Sequence, residues 1–284
     1  TGGTPGGAQA AARAAIADGA RVIIGPLTSG EAAQVIPAAR AAGVPVLAFT
    51  NDPQRAGDGA WVLGTTPGQQ VRRVVGAAAA AGARRFALAA PDTEFGRALE
   101  AALRVATSDL GLPPPAISLH PTTADPATAA AAARAAAGPV DALLIGEAGD
   151  RARRFATAFA GEGTDGATPR LLGTALWAAD PAVRNEAALA GAWFPGPDGA
   201  ARARFEARYR DAFRDTPPRV AAAAYDAAAI AARALRSGAP VESVTAVQPL
   251  VGADGPVRLL PGGQTTRGLA VYAITPGSEP QLIQ

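Results

Sequence analysis

Short apolar runs recur along the chain, separated by longer Ala-rich stretches in which Arg, Asp, Glu and Gln break the apolar character at helical intervals. The runs are rich in Val, Ile and Leu and do not alternate with polar residues, as in Arg21-Val-Ile-Ile-Gly25 and Asp141-Ala-Leu-Leu-Ile145. That is the pattern of strands covered on both faces. Strands are expected at 21–25, 44–48, 85–89, 116–120, 141–145, 171–173, 191–194, 255–260 and 268–274. The spacing predicts helices over 8–18, 29–42, 68–81, 93–110, 126–137, 149–161, 200–213 and 220–236, a broken helix near 181–188 and a short one at 242–247. Ser29 reads as the N-cap of the second helix and Gly43 as its end. Pro126 suits a first helical turn. The last two strands read as a hairpin about Pro261-Gly-Gly-Gln264.

Strands and helices that alternate through short loops define an α/β fold with parallel sheets. Ligands of such sheets lie beyond the carboxyl ends of the strands, where loops meet helix N-termini. Three of these loops are small and polar: 25–29, 48–51 and 90–94. Thr28 and Ser29 stand where unpaired N–H groups and the helix dipole favour an anion, and Thr50 and Asn51 offer a second such turn. The same residues also have purely local uses. Ser29 serves equally as a cap and Asn51 as a turn former.

Composition narrows the function. Hydrophobic residues make up 49% of the 284, too many for a disordered chain. No apolar run approaches the roughly 18 residues that span a bilayer. The 76 Ala, 33 Gly and 25 Pro, with all 26 basic residues Arg, point to GC-rich coding rather than to chemistry. Net charge is +2 with the signs interspersed. The one Arg-dense stretch, Arg202 to Arg214, is interrupted by Glu206 and Asp211 and reads as a solvated helix face rather than a nucleic-acid surface. With no Cys and a single His, thiolate chemistry and His-based triads or metal sites are set aside. The Gly-rich start, residues 2–7, is not a phosphate loop, since the chain has no Lys. The expectation is a binding protein without cofactor or metal, not an enzyme.

Four segments occur in order: Gly-Ala-Arg-Val-Ile-Ile-Gly-Pro-Leu-Thr-Ser (19–29), Gly-Val-Pro-Val-Leu-Ala-Phe-Thr-Asn (43–51), Asp-Thr-Glu-Phe-Gly (92–96) and Ala-Tyr-Asp-Ala (224–227). Together they resemble the type I periplasmic binding proteins of the leucine/isoleucine/valine-binding class, in particular extracellular ligand-binding receptors and LpoA-like activators of penicillin-binding proteins. The resemblance implies two Rossmann-like lobes joined by three hinge crossings, near 64–67, 194–198 and 249–254. Lobe 1 would be 1–66 plus 197–250 and lobe 2 would be 67–196 plus 251–284. Such proteins open with a strand, helix and strand that have no counterpart before Thr1, so the sequence is expected to be a fragment of a longer one.

The resemblance also implies a ligand site between the lobes. Its carboxylate contacts would match Ser29 and Thr50, with the backbone of Ala48 and Phe49 close by. Phe95 occupies the place of an aromatic hydroxyl. The acid that meets a ligand ammonium should follow the strand at 171–173, but that stretch is Thr174-Ala-Leu-Trp177, with no acid before Asp180. Glu147 remains as an ammonium partner or as a first-turn helix acid, and Trp177 as a pocket wall or a core aromatic. His120 reads as a surface or loop residue, Trp61 and Tyr225 as core, and Asp226 as reaching a backbone group or a hinge. What the resemblance implies is a periplasmic protein, anchored through a lipoprotein N-terminus in one version, that holds a small polar ligand such as an amino acid for an ABC transporter permease. The alternative partner is a penicillin-binding protein that the module activates.

Overall fold

The structure is a computed structural model and describes residues 1–161 and 168–284. In chain order the helices are α1 (Pro5–Ala17), α2 (Ser29–Ala41), α3 (Pro67–Ala80), α4 (Glu94–Asp109), α5 (Pro126–Ala137), α6 (Gly149–Gly161), α7 (Pro181–Arg184), α8 (Gly199–Phe213) and α9 (Ala221–Ser237). The strands are β1 (Ile23–Ile24), β2 (Val46–Ala48), β3 (Ala60–Val62), β4 (Phe86–Pro91), β5 (Ala116–His120), β6 (Ala142–Ile145), β7 (Arg170–Leu172), β8 (Trp193–Gly196), β9 (Leu250–Gly252), β10 (Gly255–Leu259), β11 (Thr265–Arg267), β12 (Ala270–Ala273) and β13 (Gln281–Leu282). The chain divides into two compact units, Thr1–Thr66 with Pro197–Gly268 and Pro67–Gly196 with Leu269–Gln284.

In the first unit β1, β2 and β3 form a parallel sheet in that order. Its strands are apolar throughout; β2 and β3 are buried along their whole length, while Ile24 of β1 is exposed. Val46, Ala48 and Ala60 meet α1 and α2 through Ala8, Ala32 and Val35. Leu47, Trp61 and Leu63 point the other way, toward Ile230 and Ala231 of α9 and Val257 and Leu259 of β10. β9, β10 and β11 make a separate antiparallel sheet. The Trp61 indole N–H closes the unit by donating to Leu260 O at 3.0 Å.

The second unit is built on a seven-stranded sheet, ordered β13-β12-β8-β7-β6-β4-β5. β4 to β8 run parallel; β12 and β13 pair antiparallel at one edge. Alternate residues of one strand serve opposite cores. Leu88 and Leu144 pack with Val74, Leu99 and Leu103 of α3 and α4. Leu143 and Ile145 pack with Ala130, Phe155 and Trp177 on the other face. Each such side chain contributes about 1.5–3 kcal/mol by leaving water.

Three expectations change. Residues 251–268 pack with the first unit, not the second: Val257 and Leu259 of β10 pack with Trp61 and Leu63, and from β11 the Thr265 hydroxyl donates to Val62 O at 2.7 Å and Arg267 Nε to Leu63 O at 2.7 Å. The chain therefore passes to the second unit at Gly268 and Leu269, beyond 249–254. The hairpin partner of β10 is β11, while residues 270–273 pair with β8 in the other unit. β3, three residues between glycine-rich turns, is not apparent in the sequence pattern.

Candidate functional site

The carboxyl ends of β1 and β2 carry the loops singled out in the first unit. Thr28, not Ser29, is the N-cap of α2. Its hydroxyl accepts from Glu31 N at 3.2 Å and donates to Glu31 Oε2 at 2.9 Å, while Thr28 N donates to the same carboxylate oxygen at 3.2 Å. This reciprocal capping box engages the Thr28 side chain fully. Those bonds from Thr28 hold Glu31 below its ordinary range. Ser29 is the first helical residue, and its hydroxyl turns to Asp52 Oδ2 at 2.5 Å.

Asp52 is the residue that sequence reasoning missed. It accepts from Ser29, from Arg55 Nε at 3.0 Å and from Gln54 N at 2.9 Å. Burial pushes its carboxyl up, but the bonds from Ser29 and Arg55 outweigh that and hold it low. The available signal was Asp-Pro at 52–53, a helix-entry pair; Asp52 does cap the short turn Pro53–Arg55.

Thr50 is buried, and its Oγ1 accepts from Asp52 N at 3.1 Å. Among the described residues that hydroxyl donates to nothing, and the exposed Asn51 amide makes no hydrogen bond. The backbone of Ala48 and Phe49 is engaged internally: Leu63 N donates to Ala48 O and Phe49 N to Pro26 O, both at 2.8 Å. The donors this edge leaves over among the described residues are the Thr50 hydroxyl, the Asn51 amide and the backbone N–H groups of Ser29 and Gly30 at the start of α2.

At the carboxyl ends of β4, β5 and β6 the second unit holds a different arrangement. His120 is buried, not a surface residue. Its Nε2 lies 2.8 Å from Glu147 Oε1. Arg151, one helical turn along α6, grips the same carboxylate with Nη2 at 2.8 Å and Nε at 3.1 Å, and also donates to Ala124 O at 3.0 Å. Burial pushes the Glu147 carboxyl up, but Arg151 and then His120 more than offset it. Glu147 is only 5% exposed, and its carboxylate is held from two sides by Arg151 and His120.

Trp177 is fully buried, donating its indole N–H to Glu147 O at 2.9 Å and lying flat on Gly173, where a Cβ would come within 2.2 Å of the ring. It is core, not pocket wall. Phe95 is half-buried against the β4–α4 core. Asp180 caps α7 through Ala182 N and Val183 N at 2.9 and 3.3 Å. Tyr225, read as core, is 39% exposed; its ring packs at a tilt against Phe205, with centroids 5.2 Å apart, and its hydroxyl accepts from Arg208.

A parallel-sheet unit whose strand ends meet helix N-termini, twice in one chain, defines a class of two-unit ligand binders. The chain belongs to the periplasmic binding protein family, which matches residues 1–276. Among solved structures it is similar to a putative branched-chain amino acid ABC transporter protein from Rhodospirillum rubrum, with 19% identity, TM-score 0.85, and 99% of this chain and 85% of that one covered. A leucine-, isoleucine-, valine-, threonine- and alanine-binding protein from Brucella ovis matches with 17% identity, TM-score 0.76 and coverage of 99% and 81%. A solute-binding protein from R. palustris in complex with 4-hydroxybenzoate matches with 20% identity, TM-score 0.69 and coverage of 99% and 81%. No curated protein sequence matches the chain. Among the described residues no helix is long and apolar enough to cross a membrane, and no group of His, Cys, Asp and Glu could hold a metal ion.

Proposed function

We propose that the chain is a non-catalytic, extracytoplasmic solute-binding protein that delivers a small carboxylate to an ABC transporter. One observation carries the choice of ligand group. The loops after β1 and β2 leave donors over at Thr50, Asn51 and the start of α2, while their acids, Glu31 and Asp52, are internally paired. Such an edge receives an anion through hydroxyl, amide and helix-terminal N–H groups. An amino acid would also need an acid for its ammonium, and Glu147 is closed by Arg151 and His120. That favours a carboxylate without an ammonium over an amino acid. Relatives of this fold include a binder of branched-chain amino acids and one in complex with 4-hydroxybenzoate, so both chemistries belong in the test. The matched family and structures are binding proteins of transport systems, and they support this reading over activation of a penicillin-binding protein.

A thermal-shift screen of L-amino acids against simple aromatic and aliphatic carboxylates tests the proposal. A bound ligand at 100 times its dissociation constant stabilises by about 2.7 kcal/mol, an upward shift of several degrees. A response to leucine but to no ammonium-free acid refutes the carboxylate reading. Silence across the whole screen refutes solute binding of either kind.

A further inference from the structure

The Ala-Tyr-Asp-Ala stretch on α9 carries an acid, Asp226, whose hydrogen-bond partners are Ala253 and Arg267 rather than the loops after β1 and β2. Asp226 is completely buried in the first unit. Its Oδ1 accepts from Ala253 N at 2.7 Å, and its Oδ2 accepts from Arg267 Nη1 at 2.9 Å. Arg267 is itself only 6% exposed, and its Nε donates to Leu63 O at 2.7 Å. The carboxylate is closely walled: a Cβ on Gly252 would stand 2.6 Å from Oδ1. Burial pushes the Asp226 carboxyl up, against the pull of Arg267 and the Ala253 amide.

The partners of this pair share a location. The chain leaves or re-enters the first unit after Thr66, before Pro197 and after Gly268. Leu63 stands just ahead of the first of these passages, and Arg267 just ahead of the third. Ala253 precedes Asp254, whose carbonyl accepts from Asp198 N at 2.9 Å and whose carboxylate takes Arg202 Nη1 at 3.2 Å. Asp198, next to the second passage, also caps α8 through Ala201 N at 2.7 Å. One buried carboxylate is therefore linked to all three passages through no more than two hydrogen bonds, with the Ala253–Asp254 peptide link completing the route to the second.

We propose that the Asp226–Arg267 pair is a positioning clasp that fixes the first unit's end of all three crossings. A buried ion pair is often no more stabilising than apolar residues of similar size, whereas it specifies one arrangement of its partners. That fits a place where three separate strands of chain must keep their spacing. Arg is the suitable cation, because its planar fork addresses the carboxylate and Leu63 O at once. The inference rests on this geometry and does not depend on which ligand is bound.

Hydrogen–deuterium exchange of the full chain, read peptide by peptide, tests it without any ligand. The double variant Asp226→Asn/Arg267→Gln removes both charges and so strands neither, and near-UV circular dichroism reports whether it is folded. Peptides covering 61–66, 197–199, 250–256 and 265–269 should exchange at least about tenfold faster than in the wild type, while those from α2, β2 and the β4–β6 core keep their rates. Wild-type rates at the crossings of the folded double variant overturn the proposal. So does an acceleration spread evenly over the first unit, which is what loss of general stability gives. The single variant Arg267→Lys keeps the charge and decides the matter where the double variant does not fold. A lysine cannot hold Asp226 and Leu63 O together, so 61–66 and 265–269 should loosen while 250–256 stays protected by the Ala253–Asp226 bond. Uniform change, or none, refutes the clasp.

Discussion

Replacing Glu147 by Gln separates a structural acid from a ligand-binding one. In the wild type the carboxylate takes Arg151 Nη2 and His120 Nε2, both at 2.8 Å, and Arg151 Nε at 3.1 Å. Gln keeps one oxygen and turns an NH2 toward one of the two cationic or N–H partners. Arg151 is about one-third exposed and retains Ala124 O, so water absorbs much of its loss. His120 is 5% exposed, so bulk solvent compensates its loss little. A charge-assisted bond of about 1.5–3 kcal/mol disappears, and the total stays below the roughly 3–5 kcal/mol for breaking a fully buried pair. We expect about 2–3 kcal/mol. For a unit of this size that lowers Tm by about 5–10 °C, measured by circular dichroism at 222 nm. The stabilisation conferred by whichever carboxylate scores in the thermal-shift screen should be unchanged. An unchanged Tm combined with lost ligand stabilisation refutes the reasoning and makes Glu147 a ligand contact. Because its folded pKa is depressed, the wild-type contribution is present above about pH 4.5 and fades as pH falls through the folded value; the Gln variant lacks that slope.

Thr28→Ala opens the capping box of α2 and should cost about 1 kcal/mol in urea unfolding; no change would mean that Ser29 can take over the cap. Gly252→Ala places a methyl group against the Asp226 carboxylate and should destabilise the first unit by about 1–3 kcal/mol, while wild-type stability would show that the carboxylate has room to retreat. Asp141 accepts from the Arg85 guanidinium and from the backbone N–H groups of Arg84 and Arg85, which together lower its pKa to about 2. Its contribution is therefore present above about pH 4 and lost between there and pH 2; Asp141→Asn should flatten the acid limb of a stability–pH curve, and an identical curve would remove Asp141 from the account.

The parallel strands were legible because burial on both faces leaves an unmistakable residue: Ala142-Leu-Leu-Ile145 has no polar member to hide. The edges were not. Leu269 to Ala273 follows β11 after a single glycine, and nothing local says that a chain crossing falls at Gly268. Among site residues, Thr28 and Ser29 were correctly placed at a helix start, but which of them caps it depends on Glu31 and Asp52 folding back. His120 misled for a similar reason. A lone histidine before a proline looks solvent-facing until Glu147, 27 positions away, is brought under it. Asp226 and Arg267, 41 positions apart, were beyond any motif for the same cause.

The interleaving of the two units also dictates an order of assembly. The first unit contains residues from Thr1 to Thr66 but cannot bury Leu47, Trp61 and Leu63 until α9 and β10 exist. The second unit forms β4 to β8 in an unbroken stretch, yet β8 pairs with β12, whose residues come from the far end of the sequence. On a ribosome, therefore, the nascent 1–66 segment would carry exposed apolar surface while the intervening 130 residues of Pro67–Gly196 were made. Such a chain folds slowly relative to its size, since its decisive pairings join distant positions, and it is the kind of sequence that profits from a holding chaperone during synthesis.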